Sequence, residues 1–412
     1  MTPPRFQIDD RLMPLDEALS LLTERLQPVA GIERVDLRQA SGRVLAADVV
    51  SAVTVPPHDN SAVDGYAIHF DDIATEGETR LPVTARVAAG HPLEAPLPRG
   101  AAARIFTGAP MPEGPDTVVM QEDCRQDGDA VVFPAGKLRR GSNRRRRGED
   151  IQAGAVVLRA GTRLRPQEVG LAAATGQATL DVRVPLRVAV FSTGDEVRDP
   201  PTPLAAGQIY DINRYTVSAL LTGLGCTVTD LGILPDDVAA IRARLAEAAA
   251  DHDLLITSGG VSVGDEDHVK AAVEAEGALH FWRLAIKPGR PVALGEVRGT
   301  SFIGLPGNPV ASMITFFLLA RPVVLRLMGC AVTGAVRYRL PATFSYRKQP
   351  GRREFLRGRL VDGPAVDKFA ADGSGILSSM TSSDGLLDLG EAVTDIAPGD
   401  AVWFLPFSEV LR

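Results

Sequence analysis

The sequence predicts a multidomain α/β protein: a central, doubly wound and mostly parallel α/β domain lies between a β-rich N-terminal half and a small C-terminal β domain. Three observations support this. At roughly 150 residues per domain, 412 residues are too many for one core. From about residue 182, strand patterns alternate with helical patterns of roughly 10 to 15 residues, the rhythm of βαβ units. Before and after that stretch, β-branched runs broken by Pro and Gly predominate.

The N-terminal region opens with a predicted amphipathic helix between Leu12 and about Leu26, since leucines recur at helical spacing there. Residues 34–180 then run as short β-branched segments, which predicts a β-rich region. The helical pattern PQEVGLAAATG at 166–176 interrupts it. After about Gly329 the helical patterns vanish, so we expect only strands and turns to the end of the chain.

Composition excludes several classes of protein. A net charge of −7 and a pI near 5.5 argue against the extended basic face that binds nucleic acid. The longest apolar stretch, 310–320, ends at Arg321 and Pro322, short of the roughly 18 to 20 residues that cross a bilayer, and no apolar leader opens the chain. The three cysteines are widely spaced and fit neither a disulfide framework nor a zinc site. We expect a cytoplasmic protein that binds neither nucleic acid nor membrane.

Three loops that follow predicted strands are candidate ligand sites, because open α/β sheets bind ligands beyond the carboxyl ends of their strands. The first is TSGGVSVGDEDHVK at 257–270, whose candidate residues are Ser258, Gly259, Gly260, Gly264 and Asp267. The glycines permit close backbone approach, and the helix start offers N–H donors to a phosphate. The acidic residues before the helix would repel an anion, which suggests a bridging Mg²⁺. Simple capping of the helix by Asp265 and Asp267 is the alternative.

The other two loops and a nearby turn add polar residues at the same edge. FSTGDEV (191–197) carries Glu196, a possible metal ligand or part of a polar turn. GLPGNPV (304–310) has two prolines that stiffen the turn and an asparagine that can cap the next helix; its candidates are Pro306, Gly307, Asn308 and Pro309. AIKPGRP (285–291) places Lys287 and Arg290 across a rigid turn, suited to an oxyanion unless the loop is simply solvated. In GILPDD (232–237), Asp236 and Asp237 are most simply the N-cap and first-turn acids of a helix.

Eight motifs in this order resemble the molybdopterin molybdenumtransferase family, which includes bacterial MoeA and the E domain of gephyrin. They are PPHDNSAVDGYA, TGAPMPEG, RRGED, STGDE, YDINR, TSGGVSVGDED, IKPGRP and LPGNPV, and the resemblance runs from about residue 10 to the C-terminus. It implies an enzyme that takes adenylylated molybdopterin, inserts molybdate at the dithiolene and releases AMP, with Mg²⁺ support. A molybdopterin adenylyltransferase would be the upstream donor.

The resemblance also implies an elongated homodimer of four-domain subunits. We assign residues 1–54 and 141–180 to a discontinuous N-terminal linker domain, 55–140 to an inserted β-rich domain, 181–329 to the α/β domain and 330–412 to the C-terminal β domain. The active cleft would lie between the last two domains of one subunit and the β-rich domain of the other.

Matched by motif, the family's catalytic residues fall on Asp64, Thr107, Asp150, Glu196, Asp236 and Asp267. Mg²⁺ would be held by Glu196 and Asp267. The molybdate and pterin-phosphate side would use Lys287, Arg290, Pro306, Pro309, Arg352 and Ser374. Two departures bear on that side: Arg290 stands where the family usually has Lys, and Ala311 where it often has Ser.

Two other functions compete with this interpretation. The α/β domain also resembles the adenylyltransferase that activates molybdopterin with ATP, but that enzyme is essentially this domain alone. The gephyrin branch uses the same architecture as a receptor scaffold, but this chain has neither a long linker nor a fused adenylylating domain. We therefore favour molybdenum insertion.

Overall fold

The computed structural model describes residues 12–136, 138–259, 268–289, 291–331, 334–361 and 363–411. The predicted first helix, α1, spans Leu15–Arg25 and carries Asp16 and Glu17 in its first turn, where acidic side chains favour the helix dipole. It ends because Leu26 is extended, two residues before Pro28.

The rest of the N-terminal half is mainly strands, as predicted. Its elements are β1 Ile32–Asp36, β2 Val49–Val50, β3 Asn60–Ser61, β4 Gly65–Ile68, β5 Glu78–Val87, β6 Ala102–Ile105, β7 Thr117–Met120, β8 Arg125–Asp127, β9 Ala130–Pro134, β10 Arg144–Arg145, β11 Val156–Leu158, α2 Pro166–Ala174 and β12 Thr179–Arg183. Six strands form one sheet in the order β7-β4-β6-β5-β9-β8. Outside it, β1 pairs with β12, β2 with β11 and β3 with β10, all antiparallel.

The middle of the chain forms the predicted α/β sheet. Its elements are β13 Arg187–Thr193, β14 Val197–Arg198, β15 Ile209–Tyr210, α3 Asn213–Leu224, β16 Thr227–Leu234, α4 Val238–Asp251, β17 Leu254–Ser258, α5 His268–Glu276, β18 Gly277–Arg283, β19 Ile286–Lys287, β20 Pro291–Val297, β21 Thr300–Leu305, α6 Pro309–Thr315 and α7 Arg321–Leu327. The sheet order is β16-β13-β17-β21-β20-β18. The first four strands are parallel; β20 runs antiparallel to β21, and β18 runs antiparallel to β20.

Two apolar clusters cover the faces of this sheet, which explains why its strands are apolar throughout. One cluster joins the sheet to α4 and α5, and the other joins it to α3, α6 and α7. The doubly wound, mostly parallel class predicted from the sequence is confirmed.

A long apolar helical stretch passes through the core. A π-helical segment, Phe316–Ala320, connects α6 to α7. Of the residues that the structure describes, Pro309–Leu327 is the one helical stretch long and apolar enough to cross a membrane, but 83% of its 18-residue window is buried inside the protein. It packs as a core helix of the α/β domain.

The C-terminal part is a small β domain, as predicted. Its elements are β22 Tyr338–Pro341, β23 Tyr346–Arg347, β24 Arg353–Val361, β25 Ala365–Lys368, α8 Ser378–Thr381, β26 Gly385–Leu389, β27 Asp395–Ile396, β28 Ala401–Pro406 and α9 Phe407–Val410. The expectation that this part has no helix is wrong, since α8 and α9 each make one turn; four residues are too few to show a helical period in sequence.

One strand connects the two domains that form the site. Although β19 belongs to the α/β part of the sequence, it pairs in parallel with β24 and becomes the edge of the C-terminal sheet, whose order is β19-β24-β26-β28-β22. This pairing sets Lys287 opposite Glu354. The four domain boundaries assigned from the sequence stay predictions.

Candidate functional site

A cleft of about 640 Å³ lies between the α/β sheet and the C-terminal sheet. Most of the predicted binding residues line it: Glu196, Gly259, Lys287, Pro306, Gly307, Asn308, Arg352 and Ser374. Asp372 also lines the cleft and was not singled out from the sequence. Ser258 and Pro309 lie next to lining residues, Ser258 as the buried last residue of β17 and Pro309 as the first residue of α6.

The α/β side of the cleft is built at the carboxyl ends of neighbouring parallel strands. Glu196 follows β13, Gly259 follows β17 and Pro306 follows β21, and these three strands are adjacent in the sheet. The Gly259 N–H donates to the Leu305 carbonyl oxygen at 3.1 Å, so the chain after β17 contacts the loop 304–310. The three strand-end loops therefore contribute to the wall of one cleft, and their role in binding a ligand stays a prediction.

The loop 305–309 is fixed from two sides. The Asn213 side-chain amide donates to the Gly307 carbonyl oxygen at 2.6 Å, and the Val310 N–H donates to the Ser374 carbonyl oxygen at 3.1 Å. The expectation that the Asn308 side chain caps α6 is wrong: its backbone stands at the N-cap position, but the side chain makes no capping bond. The Val310 N–H, which an N-cap side chain could have accepted from, donates to Ser374 in the C-terminal domain. Asn308 lines the cleft.

The cationic side of the cleft comes from Lys287 and Arg352. Lys287 Nζ lies 3.2 Å from Glu354 Oε2, and the Tyr346 hydroxyl donates to the same oxygen at 2.9 Å. A second cavity of about 570 Å³ shares Lys287 and Arg352 with the cleft. Burial, and then the bond to Glu354, raise the pKa of Tyr346 above its usual value, so the phenol is a donor at neutral pH.

The loop that carries Ser374 is held by a buried arginine. Arg357 is only 1% exposed and donates to the carbonyl oxygens of Ala371 at 2.7 Å and Gly373 at 3.4 Å. Its Nε donates to Ser379 Oγ at 3.0 Å. Burial lowers the pKa of this guanidinium. Sequence reasoning missed Arg357, because four of the nine residues of REFLRGRLV are charged and nothing in the strand marks this one as buried.

Glu196 depends on a glycine two residues earlier. Gly194 has φ of +130°, and a Cβ at that position would lie 2.5 Å from Glu196 Oε2. The positive φ favours glycine at this position, and the absence of a side chain leaves room for the Glu196 carboxylate over the turn. In the described part of the chain, no group of three or more His, Cys, Asp and Glu side chains is arranged to hold a metal. Among the described residues that line the cleft, the carboxylates are those of Glu196 and Asp372.

Asp236 is not among the lining residues just described, and it lies beside His268, the first residue of α5. Its Oδ1 is 3.0 Å from His268 Nδ1, and this hydrogen bond is the main reason that the pKa of His268 is raised. The capping role predicted for this pair of acids belongs to Asp237, which accepts from the Ala240 N–H at 2.8 Å. Asp236 precedes the helix, which starts at Val238.

Asp64 and Thr107 form a pair in the β-rich region. The Thr107 N–H and hydroxyl both donate to Asp64 Oδ1 at 2.8 Å, and these bonds hold the pKa of the carboxyl below its usual value. Asp150 lies in the same half of the chain, with an exposed side chain and an N–H that donates to Val55. The described residues that line the cleft include none of these three, because they all come from residues 196–374.

Four predicted residues fall outside the described parts of the chain. They are Gly260, Gly264, Asp267 and Arg290. Their roles stay predictions.

The fold and the cleft define a class of protein: a multidomain α/β protein with a cleft at the carboxyl ends of parallel strands, lined on the side of the C-terminal β domain by Lys287 and Arg352. Three family models match the chain in order: MoeA N-terminal region (domain I and II) at 13–176, probable molybdopterin binding domain at 189–326 and MoeA C-terminal region (domain IV) at 339–407. The chain belongs to the molybdopterin molybdenumtransferase family. It is a transferase of molybdenum cofactor biosynthesis, as its motifs predict.

Individual relatives cover nearly the whole chain. A molybdopterin molybdenumtransferase of Haemophilus influenzae is 38% identical over 97% of this chain and 100% of its own length. Molybdopterin molybdenumtransferase 2 of Mycobacterium tuberculosis is 38% identical over 90% and 94%. The crystal structure of a molybdopterin biosynthesis moeA protein from Pyrococcus horikoshii has a TM-score of 0.81 at 30% identity, over 96% of this chain and 100% of that one.

Proposed function

We propose that the protein takes adenylylated molybdopterin, inserts molybdate at its dithiolene and releases AMP. The observation that carries the proposal is the cleft itself, which joins the glycine loops of the α/β sheet to Lys287 and Arg352 at the C-terminal sheet. The reaction needs both kinds of surface, because one substrate is a large phosphorylated pterin and the other a compact oxyanion.

Lys287 and Arg352 bind molybdate. Molybdate is a dianion with tetrahedrally arranged oxygens, so an ammonium and a guanidinium on one wall can approach different oxygens with charge-assisted bonds. The sequence adds Arg290, three residues after Lys287, as a further cation for the same oxyanion.

The glycine loops receive the phosphates of adenylylated molybdopterin. Gly259 and Gly307 approach each other closely, and their lack of side chains lets a phosphate approach the backbone. The loop that carries Ser374 faces them from the C-terminal domain. This arrangement holds the pterin phosphate and the AMP moiety near the cations that bind the metal oxyanion.

Mg²⁺ fits the donor set on this side of the cleft. Mg²⁺ usually binds through one or two carboxylates plus substrate phosphates and keeps several waters, so a dedicated cage of protein ligands is not required. Glu196 offers one carboxylate, and Asp267 is the predicted second ligand. When bound there, Mg²⁺ would neutralise charge on the phosphates, while Glu196 holds its place through the Gly194 turn.

A homodimer would complete the site. Asp64, Thr107 and Asp150 are absent from the described lining of the cleft, although they belong to the motifs that resemble the family's catalytic residues. The β-rich region of a second subunit would supply them. We place the enzyme in the cytoplasm, where a molybdopterin adenylyltransferase supplies its unstable substrate.

The direct test measures AMP release from adenylylated molybdopterin by the purified protein as molybdate is varied. We expect AMP release that saturates with molybdate, and no consumption of ATP with free molybdopterin. ATP consumption without AMP release from the adenylylated substrate would instead assign the preceding adenylylation step.

A further inference from the structure

The strand pairing behind the cleft places a buried carboxylate against Lys287. Lys287 and Glu354 are register partners of β19 and β24, and the ammonium lies 3.2 Å from Glu354 Oε2. The lysine side chain is 43% exposed toward the two cavities, whereas that of Glu354 is only 3% exposed. Glu354 is not among the residues that line the cleft, and it meets the lysine on the side of the second cavity, which it helps to line.

Tyr346 fixes the carboxylate in turn. Its hydroxyl donates to the Glu354 oxygen that Lys287 also contacts, at 2.9 Å. Lys368 Nζ lies 5.4 Å from the centre of the Tyr346 ring and 2.7 Å from Asp372 Oδ1. One oxygen of Glu354 thus meets both the phenol and the ammonium, while Asp372 is paired with Lys368.

We propose that Glu354 and Tyr346 are positioning residues that hold the Lys287 ammonium in place for the oxyanion substrate. An unrestrained lysine has a flexible four-carbon stem and loses much rotamer freedom when an anion immobilises it. Glu354 restrains that stem before molybdate arrives, so less freedom is lost on binding. The proposal rests on the proposed function in one respect, namely that Lys287 contacts molybdate.

The negative charge of Glu354 also has an effect on molybdate binding that opposes its positioning role. A carboxylate beside a cation weakens that cation's attraction for a second anion, so removing the charge of Glu354 would tighten molybdate binding if electrostatics dominated. Positioning and charge competition therefore predict changes in opposite directions in the variant Glu354→Gln. Tyr346→Phe changes no charge and removes only the hydrogen bond that orients the carboxylate.

The test is a double-mutant cycle of Lys287→Ala and Glu354→Gln, with Tyr346→Phe alongside, in the full-length protein. AMP release is measured against molybdate and, separately, against adenylylated molybdopterin. We expect Glu354→Gln to raise the half-saturating molybdate concentration about three- to tenfold and Tyr346→Phe about two- to fivefold. The KM for adenylylated molybdopterin should stay unchanged, and Glu354→Gln should add nothing in the Lys287→Ala background.

The control is Asp395→Asn. Asp395 lies on the second cavity, pairs with Arg347 at 2.9 Å and is 65% exposed, so this variant removes a nearby negative charge without touching Lys287. Its effect on molybdate should be less than about twofold. Circular dichroism and the thermal midpoint report whether each variant folds. If Glu354→Gln does not fold, Tyr346→Phe alone tests the proposal.

Three results would overturn the positioning role. The first is tighter molybdate binding in Glu354→Gln, and the second is an unchanged half-saturating molybdate concentration in both Glu354→Gln and Tyr346→Phe. The third is an effect of Glu354→Gln that persists in the Lys287→Ala background. If Lys287→Ala itself leaves the molybdate response intact, the assignment of Lys287 to the oxyanion fails, and the positioning role fails with it. A normal effect of Lys287→Ala with none from its neighbours would refute the positioning role alone.

Discussion

Asn213 donates a hydrogen bond to the carbonyl oxygen of Gly307 at 2.6 Å, across 94 residues of sequence. Asn213 is the first residue of α3, and Gly307 is an exposed glycine on the wall of the cleft. The bond ties the YDINR motif to the LPGNPV motif. The two motifs are thus parts of one support for the loop after β21.

Replacing Asn213 by Ala should loosen that loop and lower kcat/KM for adenylylated molybdopterin about three- to tenfold, the scale of one lost hydrogen bond. Asn213→Asp should be worse, because a carboxylate would face the carbonyl oxygen without a proton to donate. AMP release at saturating molybdate measures both variants. Thr216→Ala, which removes only a hydroxyl bonded to the Ile212 carbonyl oxygen of the same helix, is the matched control and should stay within about twofold of wild type.

Local sequence patterns were sufficient to predict the residues on the α/β side of the cleft. Glu196, Gly259 and Pro306 each follow an apolar strand of a βαβ unit, and parallel strands present their carboxyl ends at one edge. That rule needs no knowledge of distant contacts.

The C-terminal side of the cleft depends on contacts between residues far apart in sequence, which no local pattern predicts. The contact of Lys287 with Glu354 spans 67 residues and arises because a two-residue strand leaves its own domain for the edge of the C-terminal sheet. Such a short strand has no period to detect. Arg357 looks like a solvent-facing residue of an alternating strand until the carbonyl oxygens of the 371–373 loop are placed around it.

Lys287→Ala should raise the molybdate concentration for half-maximal AMP release about ten- to a hundredfold, because one charge-assisted bond to a compact dianion is lost. Affinity for adenylylated molybdopterin should remain nearly unchanged. Arg347→Ala removes a cation from the neighbouring cavity, where its side chain is 92% exposed, and should change the molybdate response less than about threefold. Lost pterin binding with an intact molybdate response would instead place Lys287 on the phosphate side.

Glu196→Gln should reduce AMP release on the order of a hundredfold and shift its dependence on Mg²⁺ to higher concentrations, since the amide cannot replace a carboxylate ligand. The same is expected of Asp267→Asn. Asp195→Asn is the control: this carboxylate is adjacent in sequence and does not line the cleft. A Glu196→Gln enzyme with wild-type turnover and an unchanged Mg²⁺ response would refute the metal assignment.

Thr107→Val should remove the part of the pH-dependent stability that the Thr107 hydroxyl provides through Asp64. Thr107 lowers the folded-state pKa of Asp64, so its contribution is present above the unfolded value of about 3.9 and is lost as the pH falls through the folded value. The difference in thermal midpoint between wild type and Thr107→Val should therefore be full near neutral pH and should shrink below about pH 4.

The control for this effect is the Asp64→Asn background, which lacks the titrating carboxyl. Thr107→Val should there produce a difference that does not change with pH. A pH-independent difference in the wild-type background would mean that Thr107 acts through packing and not through the ionised carboxyl.

Mixing Asp64→Ala subunits with Glu196→Ala subunits should restore AMP release if each site takes these residues from different subunits. Equal mixing gives hybrids in half of the dimers, and one of the two sites in each hybrid is intact, so about a quarter of wild-type activity should return. The matched control mixes wild type with a chain carrying both substitutions. There, hybrids have two broken sites, and activity should fall from a half to about a quarter as subunits exchange. Absence of recovery in the first mixture, with no loss in the second once exchange is demonstrated, would place Asp64 and Glu196 in a site within one chain.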